Sequence, residues 1–145
     1  MSLHMIKLCV GADSVDDLKE WVADRAMTAI AAGLEPHSVH TTRMVPKKAD
    51  EILDGGSLYW VIKGQVLARQ MIIGIETFTD VDGIGRCRLM LGPEVIETAP
   101  QPRRAFQGWR YLRPEDAPPD LKGIGGADVD MPADLARELS ELGLL

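Results

Sequence analysis

Apolar residues crowd the run from His4 to Val10 (Met5, Ile6, Leu8, Cys9 and Val10), and Gly11 closes it, so a buried strand is predicted there. The period then changes. Val15, Leu18, Trp21, Val22, Ala26, Ala29 and Ile30 recur at helical spacing. Ser14 stands where an N-cap belongs, with Asp17 three residues on, and Gly33 is a natural stop. An extended run from Ser38 to Val45 follows. Pro46 suits a first helical turn, so 47–54 is predicted as a short helix that ends at Gly55-Gly56. From Ser57 the pattern becomes β-like. Trp60, Val61, Ile62, Val66, Ile72, Ile73 and Ile75 favour strands, Gly64-Gln65 marks a hairpin turn, and residues 80–83 mark a second turn. In the strand RCRLML, Cys87, Leu89 and Leu91 alternate with Arg86, Arg88 and Met90, one set inward and the other outward. Pro93, Pro100 and Pro102 predict looser structure. Residues 113–130 read as a surface loop, and Pro132 opens a last helix over 131–145 with Leu135, Leu139 and Leu142 on one stripe.

Strands joined by tight turns pair antiparallel, so the expected class is α+β: a mixed, mostly antiparallel sheet or small barrel flanked by helices. A length of 145 residues fits one domain over 1–145. No apolar run reaches the ~18 residues of a membrane span. The N-terminus turns acidic too soon for a signal peptide, so no membrane partner and a cytoplasmic location are expected. Cys9 and Cys87 lie far apart outside any C-x-x-C pair, and buried free thiols are expected of them.

Charge changes this picture. The net charge is −6, but residues 41–113 hold 8 acids against 11 bases while the two ends together hold 14 acids against 5 bases. A basic middle between acidic ends points to an anionic partner, or to attraction between the parts. The basic stretch peaks in RRAFQGWRYLR, residues 103–113, where Arg103, Arg104, Arg110 and Arg113 interleave with Phe106, Trp109 and Tyr111. Guanidinium forks match phosphate oxygens and aromatic faces suit bases, so this stretch fits a nucleotide or single-stranded RNA. The plain alternative is packing, since Phe106, Trp109 and Leu112 recur at threes. On the strand after Gly64, Leu67, Arg69, Met71, Ile73 and Ile75 are predicted to share a face, on which Arg69 needs a partner or a wet cavity. Tyr59 and Lys63 share a face of the preceding strand and hint at surface, and Arg43, Lys47 and Lys48 lie just before it. The candidate ligand-binding set is therefore Arg43, Lys63, Arg69, Arg103, Arg104, Trp109, Arg110 and Tyr111.

No hydrolase elbow, P-loop or dinucleotide fingerprint occurs, no cofactor is implied, and His37 with His40 lacks the further ligands of a metal site. Three functions stay open: a non-catalytic RNA- or nucleotide-binding module; a protein-interaction or self-associating domain, because Trp, Tyr and Arg also make interface hot spots; and a small enzyme in which Arg69, Arg104 and Arg110 hold an anion while Glu76 or Asp80 moves a proton.

The runs HTTRMVPKKADEILDGGSLYWVIKGQVLARQ and PRRAFQGWRYLRPEDAPPDL, with LHMIKLCVGADSV before them, resemble an uncharacterised bacterial family of about this length, found mainly in alphaproteobacteria and known only as a domain of unknown function. More loosely, KKADEILDGG followed by SLYWVIKG is similar to the opening of PUA-like domains, including the ASCH group. That likeness implies a small mixed barrel that binds RNA or modified bases, with Lys63, Arg69 and the Arg/aromatic stretch bordering its cleft. The ASCH order of glycine, lysine, threonine, glutamate and arginine is replaced here by Ser57-Leu58-Tyr59-Trp60.

Overall fold

A computed structural model describes residues 3–121. The order is β1 (His4–Leu8), α1 (Val15–Ala31), β2 (Ser38–Thr42), α2 (Ala49–Leu53), β3 (Ser57–Ile62), β4 (Gln65–Thr79), β5 (Gly85–Leu91), β6 (Ile96–Pro102) and β7 (Trp109–Leu112), then a 3-10 turn over Pro114–Asp116. The strands form one sheet in the order β2-β5-β4-β3-β1-β7, with β6 also paired to β4. Among the described strands only β1 and β3 run parallel, joined by the crossover that carries α1. The class is α+β, as the sequence implies. Among the described residues no ladder closes β2 onto β7, so the sheet is open; the two ends meet instead through the Trp109 indole, whose Nε1 donates to Met44 O at 2.9 Å.

Helix α1 starts where the cap predicts, with Asp17 N donating to Ser14 Oγ at 3.1 Å. It buries Leu18, Val22, Ala26 and Ala29. Trp21 and Ile30, expected inward, are exposed, because four small or branched residues already fill the contact stripe. Burying Leu18 and Val22 contributes about 1.5–3 kcal/mol each relative to leaving them in water.

Both faces of β3 are covered. Leu58, Trp60 and Ile62 join Met5, Leu18, Val22 and Ile52 on the α1 face. Tyr59 and Val61 join Ile6, Val66 and Leu112 on the other, with Phe106 and Ala117 packed against them. Tyr59 is therefore core rather than surface. The β3–β4 turn is Lys63-Gly64, with φ of 51° and 81° and Ile62 paired to Gln65. This is one residue earlier than predicted, because a two-residue turn of this hand needs positive φ at both centres.

Strand β4 is 15 residues long and serves two half-sheets: β6 lies along Gln65–Arg69 and β5 along Ile72–Thr79. Register shifts near Leu67 and near Ile73 break its alternation. Each bulge inserts one residue and flips the side chains beyond it. The predicted face of Leu67, Arg69, Met71, Ile73 and Ile75 is therefore split: Leu67 and Ile75 pack against the α1-face core. Pro100 and Pro102 lie within β6 instead of a loose segment. Pro is tolerated there because β6 is an edge strand. Residues 113–121 are also anchored, through a bridge between Asp120 and Thr98. The rest of the predicted loop, 122–130, and the predicted helix 131–145 lie outside the described residues. Cys9 and Cys87 are free thiols. No helix among the described residues is long and apolar enough to cross a membrane.

Candidate functional site

The β1–β3–β4 core places Lys7 on the α1 face, in register with Trp60 on one side and Trp109 on the other. Pairing of β2 with β5 sets His40 opposite Leu89 on the same face, and its ring meets Trp60 edge-on at 5.2 Å. Between these groups lies a cleft of two lobes. The larger, about 730 Å³, is bounded by the run from Lys7 to Ala12, by His40 and Trp60, and by Asp17, Glu20, Trp21 and Asp24 of α1. The smaller, about 510 Å³, is bounded by residues 41–44 and 107–110. Lys7 and Thr41 border both lobes. The chain has three tryptophans, and all three border this cleft.

The electrostatics of the cleft are divided. Lys7 and Arg43 have no ion-pair partner among the described residues. Burial, and then the charge of Lys7, push the His40 imidazole down to about 4, so it is neutral at pH 7. Its Nε2 is buried with no hydrogen-bond partner. Cys9, also in the wall, is pushed up to about 11 by burial and stays a thiol, so it is no nucleophile at neutral pH.

The neutral imidazole has a consequence for stability. The unfolded chain takes up a proton at His40 near pH 6.5, whereas the folded chain resists until about 4. Stability is whole above pH 6.5 and falls between those two values. By pH 5 the loss due to this ring is about 1–2 kcal/mol, after discounting for its partial exposure. Urea unfolding at pH 7 and pH 5 is expected to show a smaller acid penalty in His40→Gln than in the parent. An equal penalty would place the sensitivity elsewhere; the first suspect would be His4, whose imidazole is lowered in the same sense by burial and by Arg69.

The eight residues marked by the sequence separate in space. Arg43, Trp109 and Arg110 border the smaller lobe. The Arg110 guanidinium turns back, donating to Gln107 O at 3.0 Å and lying 5.5 Å from the Phe106 ring centre. Tyr111 stands beside Trp109 with ring centres 4.9 Å apart, and its hydroxyl accepts from Lys48 N at 3.2 Å. Lys63 occupies the β3–β4 turn and borders neither lobe. Arg103 borders a separate proline-rich groove between β6 and residues 115–119. Arg104 is exposed and has no partner among the described residues.

Arg69 lies on the opposite face and has found the partner its position demanded. Its Nε and Nη2 donate to the two carboxylate oxygens of Asp120, both at 2.8 Å, and Nη1 donates to Ser57 Oγ at 2.8 Å. Its hydrogen bond holds the Asp120 carboxyl below the usual range. His4 Nδ1 accepts from Ser57 N at 3.0 Å. This network straps residues 113–121 onto the sheet. The carboxylates considered for proton transfer are also engaged: Glu76 with Arg88 at 3.1 Å, and Asp80 with Arg86, whose hydrogen bond lowers it. Among the described residues no group of three or more His, Cys, Asp or Glu is placed to hold a metal.

Lys7, Trp21, His40 and Trp60 carry no motif, and the sequence alone does not mark them as site residues. The one local signal was Lys7 itself, a charge inside an otherwise apolar strand.

The chain belongs to the family described as protein of unknown function, DUF1489, whose sequence model matches residues 5–145. No curated protein and no solved structure matches it.

Proposed function

We propose that this member of the family is a non-catalytic binding module for a nucleotide or short single-stranded RNA, with the two-lobed cleft as its site. One observation carries the reading: all three tryptophans border a cleft that also holds Lys7 and Arg43, cations without a carboxylate partner among the described residues. A half-buried lysine on a core face is costly unless its head reaches water or an anion. Phosphate in the smaller lobe satisfies Lys7 and Arg43, and the Thr41 hydroxyl adds a donor. Each lobe lies within the usual range for small ligands. The free thiols fit a reducing cytoplasm.

Tryptophan fluorescence and anisotropy titrations of the full chain, with nucleoside monophosphates and short labelled RNAs at two salt concentrations, test the proposal. Saturable binding that weakens with salt is expected. Lys7→Ala and Arg43→Ala are each expected to lower affinity roughly tenfold, about 1.4 kcal/mol. Arg104→Ala, which lies outside the cleft, is expected to leave affinity unchanged. No binding at micromolar protein and low salt sinks the proposal. Mass that rises with protein concentration would then favour a second copy of the chain as the partner.

A further inference from the structure

The larger lobe is chemically unlike the smaller one. Its inner wall holds His40, with a buried nitrogen that nothing satisfies. Its outer wall is α1, where Glu20 and Asp24 stand four residues apart and therefore on one face, flanking Trp21 at the rim. Neither carboxylate has a partner among the described residues. Asp17, one turn earlier, accepts from Asp13 N and so belongs to the helix cap. Like charges at i and i+4 disfavour a helix, and Asp24 is too far along α1 to gain from the N-terminal dipole. Local helix stability thus gives no reason for this pair to face a cavity. Trp21 is 36% exposed, and the Arg25 guanidinium lies 4.3 Å from its ring centre. The indole is thereby steadied as a platform on which a flat ring can stack.

Resting on the nucleotide reading above, we propose that this lobe takes a guanine base, read by Glu20 and Asp24, with its phosphate in the Lys7–Arg43 lobe. Ionised carboxylates only accept hydrogen bonds. Guanine presents two adjacent donors on its pairing edge, the ring N1–H and the exocyclic amine, which match two carboxylate oxygens. Adenine presents one amine beside a bare ring nitrogen, whose lone pair meets the carboxylate unfavourably. Cytosine has the same defect, and uracil sets its single donor between two carbonyls. The acidic wall also repels phosphate and so fixes the ligand's direction, with phosphate towards Lys7 and base towards α1.

Quenching of the parent protein's tryptophans by guanosine 5′-monophosphate and by adenosine 5′-monophosphate tests this. The guanine nucleotide is expected to bind at least tenfold more tightly. Glu20→Gln with Asp24→Asn is expected to bring the two to near parity by weakening guanine and strengthening adenine. Both residues are exposed, so the variants should fold; an unchanged melting temperature checks this. Inosine 5′-monophosphate, which keeps N1–H but lacks the amine, is expected to fall between. An RNA with a 5′-terminal guanosine, run alongside, shows whether the site takes a free nucleotide or a strand end. Equal binding of guanine and adenine nucleotides by the parent overturns the base assignment and leaves the phosphate reading standing. If neither nucleotide nor RNA binds, both fall.

Discussion

Gly56→Ala is expected to remove about 4 kcal/mol or more of the chain's stability. A methyl group on Gly56 would meet the carbonyl oxygen of Leu3 at 2.2 Å and that of Ile52 at 2.4 Å. Both are backbone atoms, so no side chain can swing aside. The backbone of Gly56 is also committed, donating to Ile52 O at 2.7 Å and accepting from Ile72 N at 3.0 Å, while Leu3 N is tied to Glu51 O at 3.1 Å. Here the end of α2, the entry to β1 and the middle of β4 meet with room only for hydrogen. Opening the knot adds overpacking strain to several lost hydrogen bonds, about 4 kcal/mol or more, against a typical total stability of about 5–15. Gly85, where an added methyl would meet nothing within 4 Å and φ is not positive, is the control. Gly85→Ala is expected to change stability by less than about 0.5 kcal/mol. Urea unfolding followed by tryptophan fluorescence decides it. A Gly56→Ala midpoint close to the parent's would show that the backbone yields there.

Gly55-Gly56 illustrates how far the sequence is legible. As a helix stop it could be read, because a break in helical spacing is a local event. The crowding at Gly56 comes from Ile52, one turn earlier, and from Leu3; the part due to Leu3, which lies far away in sequence, could not. The same division runs through the fold. The Ser14 cap, the stripe of α1, the alternation of β5 and the burial of Trp60 all follow from neighbours in sequence. The bulges in β4 do not, because a bulge is defined by two residues facing one on a partner strand. They moved Leu67 and Ile75 off the face that strict alternation predicts. Arg69 lies between: its place among apolar residues announced a need for a partner, but Asp120 is 51 positions away and reaches it only through the β6 edge. The cleft was the least legible feature. Lys7 and His40 belong to strands that never pair with each other, and the β1–β3 crossover brings them together. In the RRAFQGWRYLR stretch Trp109 and Leu112 are core, as packing requires, while Arg103 and Arg110 border different surfaces.

Gln70→Met is expected to cost about 3 kcal/mol and to loosen the cleft. Gln70 is wholly buried. Its Oε1 accepts from Trp60 Nε1 at 3.0 Å, and its Nε2 donates to Gly92 O at 2.9 Å and Ser38 Oγ at 3.3 Å. One amide thus joins the middle of β3, the first residue of β2 and the residue after β5. Methionine keeps the volume but leaves the indole N–H and the Gly92 carbonyl unpaired out of water, at about 1–3 kcal/mol each. Trp60→Phe leaves Gln70 Oε1 unpaired and opens a cavity. Combining Gln70→Met with Trp60→Phe removes donor and acceptor together. The double variant is expected to be more stable than the sum of the single losses by at least about 1 kcal/mol, the signature of a shared buried bond. The functional effect follows from the same geometry. Trp60 is a wall of the cleft, His40 leans on its ring, and β2 carries His40 and Thr41. With the clip removed, β2 is free to shift relative to β3. Ligand affinity should then fall in Gln70→Met even at temperatures where the chain remains folded, although Gln70 borders neither lobe. A variant that melts with the parent and binds as the parent does would show that the amide neither stabilises the sheet nor sets the cleft.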